Sequence, residues 1–296
     1  MNILFITHTR IGDAVLSSGL LRHLVETFPT ARFTIVCGPL AATLFAAVPR
    51  LDRVIVVRKR RFDGHWFELW NMVRATVWDI VVDLRRSLVS YVIPVRRRYV
   101  VGPIAQGVHH VEHLSALLDL PEPAAPFLYT APTHRAAARA LIPDGPPVLA
   151  LAPVAADPLK TWPPERFAAL AARLLSTGAI CAGWRIALFG GPGDAVRAQP
   201  LVQGLAPGAC LEIFAEPDLL KVHAALARCK AFVGNDSGLS HLAASTGIPT
   251  LAVFGPTDAD RYGPWVGQVV RSPGGRLCDL AVEPVAAAFL RMVEAA

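Results

Sequence analysis

The feature that most constrains the fold is the regular alternation of short apolar runs with longer runs of helical periodicity. Residues 3–7 and 32–37 are strand-like, and residues 14–27 between them are helical. The same order returns in the second half, with a strand-like run at residues 148–152 and a helical run at 164–176. Unbroken apolar strands that alternate with helices are typical of parallel sheets. The pattern predicts an α/β fold.

A cluster of proline and glycine at residues 142–147 separates the two halves of this pattern. Such a cluster is typical of a linker. We therefore predict two Rossmann-like domains, residues 1–145 and 146–296, with parallel sheets that face an interdomain cleft. Ligands of such sheets bind at the carboxyl ends of the strands.

Composition indicates the cellular setting. Although 53% of the residues are hydrophobic, glycine and proline interrupt the longest uncharged run, residues 237–257, and a membrane span needs ~20 predominantly apolar residues. The first residues lack the basic region of a signal peptide and predict a strand. The five cysteines include no Cys-x-x-Cys pair. We expect a cytoplasmic protein without disulfides.

The positive charge is concentrated in the first half. Residues 1–146 contain 17 Lys and Arg against 11 Asp and Glu, a net charge of +6, whereas residues 147–296 contain 12 of each. Much of the excess lies at residues 58–61, 85–86 and 96–98. These clusters are either ordinary solvated surface or a surface for an anionic partner, such as a phosphorylated glycolipid, a membrane or nucleic acid.

Residues 232–241 contain the most informative turn. The apolar run predicts a strand that ends near Gly234, Asp236 and Ser237 can cap a following helix, and Gly238 lets a ligand approach the backbone. Amide groups at a helix N-terminus have no intrahelical partner and favour anions. The turn is either a cradle for phosphate or diphosphate, with Ser237 and His241 on one side, or an ordinary capped loop.

A second polar turn follows the first predicted strand and contains Asp13. A carboxylate at the end of this strand can take a proton from a hydroxyl nucleophile. Asp is also a favoured helix N-cap, and the spacing leaves both interpretations open. The turn has no Gly-x-Gly-x-x-Gly motif, which argues against a dinucleotide-dependent dehydrogenase.

Three further loops follow predicted strands of the second half. Lys160 can place a point charge on a phosphate or face solvent. Residues 190–194 lack the Gly-Lys-Ser/Thr of a P-loop, but their backbone can admit a base or ribose, and Asp194 can accept ribose hydroxyls. Thr257 closes another strand and can cap a helix or contact a ligand.

His109, His110 and His113 are close in sequence and are candidate metal ligands. Adjacent residues point apart on a helix, and no carboxylate completes a metal-binding pattern. We expect no metal site.

Taken together, these loops resemble those of the ADP-heptose:lipopolysaccharide heptosyltransferases, glycosyltransferase family 9. The resemblance covers nearly the whole chain. It rests on five motifs in this order: Ile11-Gly12-Asp13, Lys160-Thr161-Trp162-Pro163, Gly190-Gly191-Pro192-Gly193, Asp236-Ser237-Gly238-Leu239-Ser240-His241 and Phe254-Gly255-Pro256-Thr257.

The resemblance implies a GT-B fold and an inverting, metal-independent transfer of a heptose from a nucleotide diphosphate. It also implies that Asp13 is the catalytic base and that Lys160 acts on the leaving phosphate. The implied donor-binding residues are Gly12, Gly191, Asp194, Asp236, Ser237, Gly238, Leu239, His241 and Thr257. The implied acceptor-binding residues, in the N-terminal domain, are Arg10, Lys59, Arg60, Arg61 and Arg85. In many GT-B proteins the last helix returns to the first domain.

The partners expected from this resemblance are a nucleotide-sugar donor, such as ADP-heptose, and an anionic glycolipid acceptor. We expect no cofactor, no nucleic acid and a monomer that is peripheral on the cytoplasmic face of the inner membrane. One alternative is a nucleotide-sugar isomerase of the same fold. Another is a basic nucleic-acid-binding module, which needs aromatic residues interleaved with the basic clusters.

Overall fold

The computed structural model describes residues 1–205, 210–214 and 216–295. By its internal contacts the chain divides into two compact units, Met1–Tyr129 and Thr130–Ala296.

The first unit is built around a five-stranded parallel sheet. Its strands are β1 (Asn2–Ile6), β2 (Arg32–Cys37), β3 (Leu51–Val56), β4 (Trp78–Asp83) and β5 (Val95–Val100). Its α-helices are α1 (Ile11–Leu16), α2 (Ser18–Thr27), α3 (Gly64–Val73) and α4 (His110–Ala116). Short 3-10 helices cover Pro39–Phe45, Arg61–Asp63 and Leu88–Tyr91. The strand order β3-β2-β1-β4-β5 reverses direction between β1 and β4.

The second unit repeats this plan with six parallel strands. They are β6 (Val148–Ala152), β7 (Arg185–Gly190), β8 (Cys210–Phe214), β9 (Ala231–Asn235), β10 (Thr250–Phe254) and β11 (Gln268–Arg271). The helices are α5 (Pro132–Leu141), α6 (Pro164–Leu175), α7 (Asp194–Gln203), α8 (Leu219–Leu226), α9 (Gly238–Ala244), α10 (Ala259–Tyr262) and α11 (Val282–Glu294), with 3-10 turns at Pro158–Lys160, Pro273–Gly275 and Leu277–Asp279. The order β11-β10-β9-β6-β7-β8 reverses between β9 and β6.

The contacts divide the chain earlier than the proline and glycine cluster suggested. The boundary lies after Tyr129, whereas we expected it after residue 145. The reason is α5, which packs on α8 and carries His134 to within 3.6 Å of the Asp218 carboxylate. The cluster at residues 142–147 therefore joins α5 to β6 inside the second unit.

The last helix belongs to the second unit. The buried side chains of α11, among them Val285, Phe289 and Met292, join the same core cluster as Trp162 on the loop before α6. The indole nitrogen of Trp162 donates a hydrogen bond to the carbonyl oxygen of Leu280 (2.8 Å). This packing differs from the return to the first domain that many GT-B proteins have.

Residues 14–27, predicted as one helix, form two. Ser17 separates α1 from α2, and its hydroxyl donates to the carbonyl oxygen of Ala14 (2.8 Å), while the Ser18 hydroxyl donates to that of Val15 (2.6 Å). Serine hydroxyls that bond back to the preceding turn compete with the helical backbone and bend it. The apolar periodicity continues through the break, so the sequence pattern does not reveal it.

The basic cluster at residues 96–98 lies on a strand. It occupies the middle of β5 (Val95–Val100), at the edge of the first sheet. Charged side chains on an edge strand discourage pairing with other chains.

Candidate active site

Both sheets place polar residues where their strand order reverses, the usual ligand-binding position of such sheets. In the second unit the loops after β6 and β9 carry Lys160 and Asp236. In the first unit the loop after β1 leads to Asp13, and β4 ends at Asp83.

Lys160 and Asp236 form a close ion pair. Lys160 Nζ lies 2.7 Å from Asp236 Oδ2, and the side chains are 28% and 7% exposed, respectively. Lys160 therefore does not simply face solvent, because its side chain is partly buried and its ammonium group is paired. The pair fixes an ammonium group at the carboxyl edge of the sheet, and because its own charge is balanced, an anionic ligand there needs further donors.

Asn235, which the sequence reading did not single out, fixes the loop that carries Lys160. Its side-chain oxygen accepts a hydrogen bond from the backbone N–H of Trp162 (2.8 Å), and its side-chain nitrogen donates to the carbonyl oxygen of Ala152 (3.3 Å). A fully buried Asn is costly unless it is bonded in this way. Its position at the end of an apolar strand, directly before Asp236, is the signal that could have identified it.

The turn after Asp236 leaves donor groups available at the start of α9. Ser237 is the N-cap residue, yet it makes no side-chain capping bond, and its buried Oγ has no hydrogen-bond partner among the described residues. Gly238 begins the helix, Leu239 is half-buried, and His241 is buried within α9. The expectation that Ser237 caps the helix with its side chain is wrong.

Asp194 closes its own turn at the start of α7. Its carboxylate accepts a hydrogen bond from the backbone N–H of Gly191 (2.8 Å), and Gly193 occupies the left-handed region (φ 83°) that favours glycine. Arg197, a second residue that sequence reasoning missed, lies 3.5 Å from Asp194 and donates to the carbonyl oxygen of Ala155 (2.9 Å). It therefore connects this turn to the loop that precedes Lys160.

Thr257 lies half-buried on the loop after β10. The residue that caps the next helix is Asp258, whose carboxylate accepts a hydrogen bond from the N–H of Asp260 (3.1 Å). Since β10 neighbours β9 and β7 neighbours β6, Thr257 and Asp194 flank the Lys160–Asp236 pair along one edge of the sheet.

Asp13 is the third residue of α1 and not its N-cap. The N-cap is Arg10, which is exposed, and no side chain makes a capping bond there. Gly12 precedes Asp13 within the helix, and the Asp13 side chain is partly exposed. The capping interpretation of Asp13 is therefore wrong.

Charged side chains interact electrostatically with the half-buried His8 ring. Burial lowers the pKa of His8, Asp13 and Asp83 raise it, and Arg85 lowers it. Asp83 is fixed by the backbone N–H of Arg85 (2.9 Å) and of Ser87 (2.8 Å). Burial lowers the pKa of Arg85 and Asp83 raises it, and the Arg85 guanidinium remains a cation at neutral pH. The sequence pattern placed His8 in the first loop as a residue that could line the cleft, whereas Asp83 was not singled out from the sequence.

The other expected acceptor-binding residues lie on the surface. Lys59, Arg60 and Arg61 are exposed, and Arg60 Nη1 lies 2.7 Å from the Glu68 carboxylate. Arg85 differs from them because it is half-buried and its guanidinium carbon lies 4.8 Å from the centre of the Trp66 ring.

His109 and His113 make local hydrogen bonds. His109 Nδ1 accepts a hydrogen bond from the backbone N–H of Val111 (3.1 Å), and Glu112 accepts one from that of His109 (3.2 Å), which together cap α4. His113 Nε2 lies 3.2 Å from the carbonyl oxygen of Gly102. Within the part of the chain that the structure describes, no three His, Cys, Asp or Glu side chains are arranged to hold a metal ion.

Comparison with known proteins gives a family match over more than half of the chain. Residues 101–276 match the model of glycosyltransferase family 9 (heptosyltransferase). The chain belongs to this family. A family 9 member is a glycosyltransferase, and the two parallel sheets are the two Rossmann-like units of its GT-B fold.

Similar proteins extend over most of the chain. Lipooligosaccharide heptosyltransferase 2 of Haemophilus ducreyi is 26% identical over 91% of this chain and 88% of its own length. Lipopolysaccharide heptosyltransferase 1 of Pseudomonas aeruginosa is 28% identical over 87% of this chain and 79% of its own length. The structure of ADP-heptose lps heptosyltransferase II of E. coli shares the fold, with a TM-score of 0.80, 24% identity and coverage of 100% of this chain and 99% of that chain.

Proposed function

We propose that this glycosyltransferase moves a heptose from ADP-heptose to a lipopolysaccharide core acceptor or a related glycan. The observation that carries the proposal is the Lys160–Asp236 pair at the point where the strand order of the second unit reverses. Family membership and relatives named as heptosyltransferases support the class of donor and acceptor.

The second unit holds the donor in this proposal. Lys160 and the backbone amides at the start of α9 bind the diphosphate, because an ammonium group and helix N-terminal amides both stabilise phosphate oxygens. Ser237 adds its buried hydroxyl. Gly191, Asp194 and Thr257 line the nucleoside side, with Asp194 accepting ribose hydroxyls. Asp236, Gly238, Leu239 and His241 complete the donor-binding set of this unit, and Gly12 of the first unit is the remaining proposed donor-binding residue.

The reaction is a single displacement with inversion. The acceptor hydroxyl attacks the anomeric carbon, its proton passes to the Asp13 carboxylate, and the bond from the anomeric carbon to the diphosphate oxygen breaks, so that ADP leaves. Lys160 and the α9 amides stabilise the charge that develops on the diphosphate, the task that a metal ion performs in other transferases. On this basis we propose a metal-independent reaction that needs no cofactor.

The first unit binds the acceptor in this proposal. Arg10, Lys59, Arg60, Arg61 and Arg85 supply cations for an anionic glycolipid, and the excess positive charge of residues 1–146 supports this role. None of the helices in the described residues combines the length and the apolar character needed to traverse a bilayer. We propose a monomer that associates peripherally with the cytoplasmic face of the inner membrane.

Two substitutions test the assignment of roles. Asp13→Asn should abolish transfer from ADP-heptose to the acceptor while ADP-heptose still raises the unfolding temperature, because the donor site is intact. Lys160→Ala should reduce the rise in unfolding temperature that ADP-heptose causes. In free energy of unfolding, a ligand present at 100 times its Kd contributes about 2.7 kcal/mol. Full transfer by Asp13→Asn would refute the base assignment. Unchanged donor stabilisation and turnover in Lys160→Ala would refute the phosphate role.

A donor-only incubation separates transfer from isomerisation. A transferase leaves ADP-heptose intact over the time in which it is consumed when acceptor is present. An isomerase converts the nucleotide sugar with no acceptor.

A further inference from the structure

The first unit exposes an apolar surface beside its basic clusters. The ring centres of Phe67 and Trp70 on α3 lie 5.5 Å apart. Trp70 Nε1 donates a hydrogen bond to the carbonyl oxygen of Val92 (3.3 Å). Leu88 and Tyr91 belong to the adjoining 3-10 helix, in which residues three apart project on the same side. We call these five residues the apolar face.

Most of the apolar face is open to solvent. Phe67 is 69% exposed, Leu88 79%, Tyr91 57% and Val92 62%. Val89, within the same short helix, is buried in the core of the first unit, so this segment is anchored and presents its outer side chains in a fixed arrangement. A single exposed apolar side chain is ordinary, whereas a connected group marks an interaction site.

Arginines flank the apolar face. The Arg98 guanidinium lies 5.0 Å from the centre of the Tyr91 ring, and that of Arg74 lies 5.0 Å from the centre of the Trp70 ring. Between residues 58 and 98 the chain carries 10 Lys and Arg against 4 Asp and Glu. The partner of this face must therefore offer both hydrocarbon and negative charge.

We propose that the apolar face docks the enzyme on an anionic lipid bilayer. Trp and Tyr rings favour the headgroup level, aliphatic side chains enter the acyl boundary, and each basic residue near an anionic leaflet adds about 1 kcal/mol. Nucleic acid fits less well, because Leu88 and Val92 offer no stacking surface and arginines already lie over Tyr91 and Trp70. The inference deepens the proposed function, since it names the surface through which peripheral association occurs.

Vesicle sedimentation with the full chain tests the proposal, without donor or acceptor. We expect binding to vesicles that contain phosphatidylglycerol, weaker binding at high salt, and little binding to phosphatidylcholine alone. The double variant Leu88→Ser/Val92→Ser should bind phosphatidylglycerol vesicles roughly tenfold or more weakly, since it removes two apolar anchors. The matched control Val196→Ser/Val266→Ser alters two exposed valines of the second unit and should bind like the wild type.

Each outcome is decisive. Both double variants should keep the wild-type unfolding midpoint, and Arg74→Gln, which removes one of the arginines that flank the apolar face, should also weaken binding to phosphatidylglycerol vesicles. The proposal is overturned if Leu88→Ser/Val92→Ser binds vesicles like the wild type, if the control loses binding equally, or if a single-stranded oligonucleotide binds through the same residues in place of the vesicles.

Activity assays distinguish this inference from the proposed function. If docking is correct, Leu88→Ser/Val92→Ser transfers normally to a water-soluble acceptor fragment and slowly to acceptor embedded in vesicles. A wild-type protein that binds vesicles through this face but transfers heptose to no acceptor would refute the proposed function and leave the docking surface standing.

Discussion

Replacing Lys160 by Met would leave the Asp236 carboxylate without its cation. That carboxylate is only 7% exposed, whereas the lysine side chain is 28% exposed, so the two partners are unequally buried. Removing one member of a fully buried pair costs roughly 3–5 kcal/mol. Because water can reach the lysine side of this pair, we expect Lys160→Met to lower the free energy of unfolding by about 2 kcal/mol.

Substitution of the other partner, Asp236, should lower the free energy of unfolding by less. Asp236→Asn keeps an oxygen that can accept a hydrogen bond, and the released ammonium group can be hydrated, so we expect a loss of about 1 kcal/mol. The double variant Lys160→Met/Asp236→Asn no longer buries a lone charge. Its loss should also be about 1 kcal/mol, well below the sum of the single losses, which gives a coupling energy of about 2 kcal/mol.

Urea unfolding of the ligand-free protein, followed by tryptophan fluorescence, measures this cycle. Lys221→Met is the matched control, because Lys221 Nζ lies 3.6 Å from Glu216 in a more exposed pair of the same unit, and such pairs contribute about 0–1 kcal/mol. Additive losses in the cycle, or an equal loss in the control, would refute the view that a buried carboxylate holds Lys160 in place.

Two other perturbations test the packing of each unit. Burial lowers the pKa of His223 to about 4 from its ordinary value of 6.5, so the unfolded state binds more protons between these values, and this residue should destabilise the second unit by about 3 kcal/mol as the pH falls from 6.5 to 4. Denaturant titrations of His223→Gln should lack that part of the pH dependence, and an identical pH profile would contradict the assignment. In the first unit, a Cβ at Gly19 would lie 2.0 Å from the carbonyl oxygen of Ala124. Gly19→Ala should therefore lower the free energy of unfolding by about 1–3 kcal/mol through overpacking. An unchanged unfolding midpoint would show that residues 124–125 can move away.

The sequence by itself determined the class of the fold. Apolar periodicity and turn residues depend on a few neighbouring positions, so they identified strands that carry the candidate site, with β6 at the predicted bounds, residues 148–152. The family was indicated separately, by the resemblance of five motifs that each span a few consecutive residues. The roles of Asp13 and Lys160 remain predictions from that resemblance.

Tertiary structure alone decided how distant segments meet. Lys160 and Asp236 are 76 positions apart, and their ion pair follows from the adjacency of β6 and β9, which no local pattern encodes. The same is true of Asn235, which fixes the Trp162 backbone across those strands. The boundary between the units lies after Tyr129 because α5 packs on α8, a contact between segments about 90 residues apart. The proline and glycine cluster indicates only a local turn.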